Sequence, residues 1–217
     1  MKLLRNRIFL VVLFTFLAWT LRVTFLNFDA LSDLTLAGLR NESLRALIFV
    51  GPVLLYLRFV ERARAATFLK LNAPRRDASR EVLGVGALFV GWYLLLDYLV
   101  GDGRIGGVGF TLVLFTMLSP ATLVEEIYFR GFLLNKLWQT TSFWRANLAS
   151  SSLFALIHFP GWFVLGNFSS PLVVADALNI LISGMIFGWV MKRTDSLWPA
   201  YVLHALNNLL IIVVVSS

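Results

Sequence analysis

The sequence predicts an all-α, polytopic membrane protein of about seven helical spans with a cytoplasmic N-terminus. Three observations carry that prediction. Of 217 residues, 59% are hydrophobic and 14% are charged, against about 25% charged in an average soluble domain. The apolar residues fall into several runs of roughly 17 or more, which a soluble core of this size could not hide. The 19 basic residues, against 12 acidic ones, gather between those runs. The net charge of +7 is therefore a topology signal and not a nucleic-acid surface.

The first run, near 8–27, follows Lys2, Arg5 and Arg7. A signal peptide starts the same way, but no small-x-small cleavage site follows, so an uncleaved first helix is expected. Further runs near 44–60, 82–100, 108–126, 145–163, 171–191 and 197–215 complete the seven. With the N-terminus inside, the interior segments hold Lys2, Arg5, Arg7, Arg58, Arg62, Arg64, Lys70, Arg75, Arg76 and Arg80. Arg130, Lys136, Arg145, Lys192 and Arg193 bring the interior count to fifteen of nineteen. Arg40, Arg45 and Arg104 fall outside and Arg22 within a span, a clear positive-inside asymmetry. The expected organisation is one integral membrane domain, 1–217.

Other signals are weak. "GDGRIGGVGF" holds a formal G-x-G-x-x-G at Gly101, Gly103 and Gly106, but a dinucleotide site needs a preceding strand, and here a span follows. It is expected to be a flexible exterior turn. Asn41-Glu42-Ser43 and Asn167-Phe168-Ser169 match the glycosylation sequon, a pattern with many false positives. There is no cysteine, which removes thiol catalysis, disulfides and cysteine zinc sites together.

The later spans hold few polar groups, and these concentrate. The fourth, with its cytoplasmic extension, carries Glu125, Glu126 and Arg130; the fifth Asn147, a serine run and His158; the sixth Asp176, Asn179 and Ser183; the seventh His204, Asn207 and Asn208. The chain has two histidines, and both lie in predicted spans. Glu126 and Arg130 are i,i+4 with the acid first, the better order for a pair. Glu125 points about 140° away from Arg130 on an α-helix, which leaves it for another task. His204 and Asn208 are also i,i+4, so one face offers an imidazole and a carboxamide.

Each group alone has a structural explanation. An intramembrane histidine or asparagine often serves as a helix–helix hydrogen bond. That explanation is preferred for Glu126 with Arg130, and interfacial solvation for Asp97 and Asp176. For a carboxylate, two histidines and an asparagine on three helices, function is the better account.

These residues carry a resemblance. "EEIYFR" is E-E-x-x-x-R, "FALIH" is F-x-x-x-H and "HALNN" is H-x-x-x-N. In order and separation they resemble the CPBP family, the CAAX prenyl endopeptidases and bacteriocin-processing or self-immunity proteins also called ABI. The resemblance covers about 110–212 and divides the chain into three N-terminal spans, 1–107, and a catalytic core, 108–217. It implies an all-helical, glutamate-dependent intramembrane endopeptidase. By position, Glu125 with His158 would activate water, His204 and Asn208 would stabilise the oxyanion, and Glu126 and Arg130 would support the site.

Elementary chemistry agrees. Peptide hydrolysis without a protein nucleophile needs a base for water and donors for the oxyanion. Rival protease types lack their residues: no H-E-x-x-H and no G-x-G-D occur, and Ser151 stands about 10 Å from His158 along a helix. Three alternatives stay open. One is a zinc-dependent version using Glu125, His158 and His204. Another is a non-catalytic immunity or scaffold protein of the same fold. The third is a transporter using the cluster as a proton relay. No cofactor is expected, zinc being the exception. The expected partners are a peptide or membrane-protein substrate and the bilayer, with no nucleic acid, and the expected location is the bacterial inner membrane. Helical rise puts Glu125 within about 5 Å of the cytoplasmic edge, His204 at about 10 Å and His158 at about 20 Å. The last value requires a tilted or extended fifth helix.

Overall fold

The computed structural model describes residues 2–25, 36–74, 77–100, 118–169 and 172–215, and every regular element among them is helical. α1 is Lys2–Phe25, and α2 is Leu36–Tyr56, running on as a π-helical segment, π1, Leu57–Glu61. The short α3, Ala65–Phe68, precedes α4, Ser79–Val100. Pro120–Glu126 (α5), Ile127–Leu134 (π2) and Asn135–Trp138 (α6) follow one another without a break. Then come α7 (Phe143–Leu156), α8 (Phe159–Val164), α9 (Leu172–Thr194) and α10 (Trp198–Val215).

Four helices among the described residues are long and apolar enough to cross a bilayer: Arg7–Phe25, Arg40–Glu61, Ser79–Leu99 and Leu172–Thr194. Trp198–Val213 is apolar but shorter. On α4, Leu83 and Leu88 are each 72% exposed and Tyr98 83%. Outer faces of this kind, on helices that satisfy their own backbone, belong in lipid. The chain is an integral membrane protein.

Side-chain contacts fix the direction of each helix. Glu61 pairs with Lys136 at 2.7 Å, Glu81 with Arg193 at 3.0 Å, and the Trp198 indole donates to the Leu71 carbonyl at 2.8 Å. The starts of α4 and α10 therefore share one end, here the basic end, with the ends of π1, α6 and α9. At the opposite end, Trp19 Nε1 donates to the Ile157 carbonyl at 3.0 Å. The described segments make seven traverses between these ends, the fourth followed from Pro120 onward.

The traverses are not seven simple helices. The run 145–163 breaks at Ile157 and His158, ahead of Pro160, whose missing N–H cannot continue the ladder. The run 108–126 lies outside the described residues up to 117, and it does not stop at Glu126 but continues through π2 to Trp138. The Gly101–Gly106 turn also lies outside them. Asn41 is buried within α2, so the first sequon is closed off. Arg45, Arg130 and Lys136 are buried as well, which corrects their assignment to surface topology.

Two cores hold the bundle. One joins Val23, Phe49 and Val53 to Tyr128, Phe129 and Phe132 of π2. The other joins Phe89, Phe187, Met191 and Leu203 of α4, α9 and α10. Close approach is set by Gly184 and Gly188, a small-x-x-x-small spacing on α9. A Cβ on Gly184 would stand 2.8 Å from Arg130 Nη2, and one on Gly188 would stand 2.0 Å from Asn147 Oδ1.

Candidate active site

The two glutamates close α5 where the backbone passes into π2, a kind of insertion often found at functional sites. Glu126 is fully buried. Its Oε1 lies 2.9 Å from Arg130 Nη1 and 2.9 Å from His204 Nδ1. The Arg130 guanidinium packs over Phe154 at 4.2 Å and Phe187 at 5.4 Å. A buried carboxylate thus faces a cation and an imidazole, as an ion inside a bundle must.

Glu125 has a different setting. Its side chain keeps 17% exposure, with Oε2 3.9 Å from His204 Nε2 and Oε1 3.8 Å from Arg45 Nη1. His204 stands between both carboxylates. A carboxylate only accepts, so Nδ1 carries a proton and donates to Glu126. In a neutral ring Nε2 would then turn a lone pair toward Glu125.

His158 is held in the same way. Its Nδ1–H donates to the Phe154 carbonyl at 2.8 Å, leaving Nε2 as an acceptor. The Phe154 ring stands edge-on to both imidazoles, at 5.2 Å from His158 and 5.5 Å from His204. His204 also stacks on Phe187 at 4.9 Å. Asn208 Nδ2 donates to Thr122 Oγ1 at 3.2 Å, one turn before the glutamates. Its neighbour Asn207 accepts from Tyr93, whose hydroxyl accepts from Asn179, both at 3.2 Å. That chain braces α4, α9 and α10.

The structure therefore brings Glu125, Glu126, Arg130 and His204 into one cluster. It joins His158 through Phe154 and ties Asn208 to α5 through Thr122. Asp176 is exposed, whereas Asp97 is 9% exposed, which corrects the expectation that it is solvated at the interface. Glu125 lies thirteen residues from Trp138, whereas His204, which meets Glu126 at 2.9 Å, lies six residues from Trp198 at the basic end, about 9 Å by helical rise.

Arg45 was assigned to the exterior and is instead part of the site. It is 6% exposed, 3.9 Å from Glu42 and 5.3 Å over the Trp19 ring, besides its contact with Glu125. A signal was available in "NESLRALIFV": an acid and a base at i,i+3 entering an apolar run, which the default for intramembrane ionisables marks as functional.

The donor set also bears on zinc. Each histidine commits Nδ1 to a protein oxygen and leaves Nε2, as metal-bound histidines do. Among the described residues, however, no three His, Cys, Asp or Glu side chains cluster as a metal site.

An all-helical membrane bundle with glutamates, imidazoles and a carboxamide gathered between its helices defines a class, the polytopic membrane proteins with an internal cluster of ionisable and polar groups. Residues 107–210 match the model of the family described as Type II CAAX prenyl endopeptidase Rce1-like, in agreement with the resemblance carried by the three motifs. The matched segment contains Glu125, Glu126, Arg130, His158, His204 and Asn208, while Trp19 and Arg45 precede it. A comparison with curated proteins returns no significant match.

Proposed function

We propose that the protein is an intramembrane endopeptidase that hydrolyses a peptide bond of a membrane-associated or lipidated substrate with activated water. The family match supports a CAAX-type protease at the level of class. The finer reading rests on the two imidazoles, each of which donates from Nδ1 to a protein oxygen and leaves Nε2 for chemistry.

The Glu125 carboxylate takes the proton of the attacking water, which His158 Nε2, an acceptor, holds by its other hydrogen. The Asn208 carboxamide donates to the oxyanion, and His204 joins it from Nε2 when that atom carries a proton. Glu125 then returns a proton to the leaving amine. Glu126, braced by Arg130, holds the His204 ring by its Nδ1–H, and neither touches substrate. Arg45 offsets the charge of Glu125 from α2.

The test uses purified full-length protein and a peptide library containing prenylated and unmodified members, with and without a strong chelator. Chelator-resistant cleavage that falls by about 10²–10⁴ in Glu125→Gln is expected for general acid–base catalysis. Cleavage lost to chelator and restored by zinc replaces this mechanism with the metal-dependent one. A cellular phenotype that survives Glu125→Gln points to the non-catalytic immunity or scaffold reading. Glu125-dependent proton flux in liposomes points to a transporter.

A further inference from the structure

At the basic end, remote from the glutamates, a cavity of about 500 Å³ opens between the ends of α6 and α9 and the start of α7. Trp138, Trp144 and Trp189 form its walls, and Lys70, Lys192, Arg193 and Asp195 supply its charges. Two of the three cations are matched. Lys70 pairs with Asp195, and Arg193 donates from Nε and Nη2 to one oxygen of Glu81 at 3.1 and 3.0 Å. Lys192 has no carboxylate partner among the described residues. Its ammonium stands 4.3 Å from the Phe143 ring and 5.7 Å from the Trp138 ring.

Aromatic faces attract a cation without cancelling its charge, so the cavity keeps an ammonium able to bind an anion. Its place fixes the kind of anion. Tryptophans at the ends of spanning helices lie at headgroup depth, and basic pockets between such helices take anionic headgroups. The apolar wall also continues outward along α7, where Trp144 and Leu148 are exposed. A free ion would leave that surface unused, whereas an acyl chain would cover it. We infer that this cavity is a headgroup site for an anionic phospholipid, with a phosphate oxygen on Lys192 Nζ, the indoles around the glycerol and an acyl chain along α7. The inference does not depend on the proposed protease activity.

The test is thermal unfolding of the full-length protein in neutral detergent, titrated separately with short-chain phosphatidylglycerol, phosphatidylcholine and inorganic phosphate. Phosphatidylglycerol is expected to raise the midpoint saturably, and phosphatidylcholine is not. Lys192→Gln should raise the half-saturating concentration about fivefold, the worth of one basic residue near an anionic surface. Lys192→Arg should restore it, and Arg58→Gln, an exposed basic residue outside the cavity, should leave it unchanged. Equal protection by both lipids, or equal effects of Lys192→Gln and Arg58→Gln, overturns the inference. Protection by inorganic phosphate with the same Lys192 dependence reassigns the cavity to a free anion. Mass spectrometry of lipid retained by the wild-type protein from an equal mixture gives a readout that needs no variant, and equal retention likewise overturns the inference.

Discussion

Glu125 and Glu126 are neighbours in sequence with opposite surroundings, and the difference predicts opposite consequences of the same change. Glu126 is sealed between Arg130 and His204, each at 2.9 Å. Removing one partner of a buried ion pair costs about 3–5 kcal/mol, so Glu126→Gln should lower the unfolding midpoint in detergent and the folded yield. Glu125 retains partial exposure and longer contacts. Glu125→Gln should therefore unfold within a degree or two of wild type while losing cleavage. A midpoint lowered equally by both changes would sink the division of labour. Arg45→Gln removes the guanidinium 3.8 Å from Glu125 and should lower kcat about tenfold, the equivalent of about 1.4 kcal/mol. Arg45→Lys should restore part of it, because the charge returns without the planar fork. Sequence spacing was enough to pair Glu126 with Arg130, since i,i+4 proximity is local. It was blind to the bond between Glu126 and His204, 78 residues apart, and to Arg45, whose partner lies on another helix.

Local pattern was also a poor guide to where elements change character. The apolar run 145–163 contains Pro160, yet its hydropathy does not dip there. The break it causes leaves the Ile157 carbonyl in need of a donor, which Trp19 of α1 supplies at 3.0 Å. His158 is the next residue, so the angle of its imidazole, catalytic in the proposed mechanism, depends on an indole from the first helix. Trp19→Phe keeps the packing against Phe49 but loses the donor. It should cost about 1 kcal/mol of stability, the net value of one hydrogen bond, and should reduce kcat more than it changes KM. π2 was equally hidden, because i→i+5 bonding leaves no compositional mark. Its position shows in the Asn135 side chain, which donates to the carbonyls of Gly131 and Phe68 at 2.8 and 3.1 Å. The α9 glycines were legible only as residues, not as contacts. Gly188→Ala would drive a methyl into Asn147 Oδ1 and break its bond to the Met185 carbonyl. The expected loss of about 1–3 kcal/mol, typical of overpacking, is measurable as a lowered unfolding midpoint.

For the whole molecule, composition and run length were sufficient to predict an all-helical membrane bundle, because burial of apolar surface and backbone satisfaction leave lipid-embedded chains few other choices. Orientation is a separate matter that packing does not decide, since the same bundle is stable with either end facing the cytoplasm. Charge decides it. Lys70, Lys192 and Arg193 gather at the basic end, and the exposed Arg58 in π1, with Arg62 and Arg64 just after it, closes the same side. The positive-inside rule counts such residues near span ends, so that end should face the cytoplasm even after Arg45, Arg130 and Lys136 are withdrawn from the tally as buried. The absence of cysteine makes this directly measurable. Gln139 is exposed at the basic end and Asn167 at the opposite one, so each can be replaced singly by cysteine. In intact spheroplasts a membrane-impermeant maleimide should label Asn167→Cys at once and Gln139→Cys only after permeabilisation. The reverse order would invert the molecule and place the tryptophan-walled cavity on the exterior side.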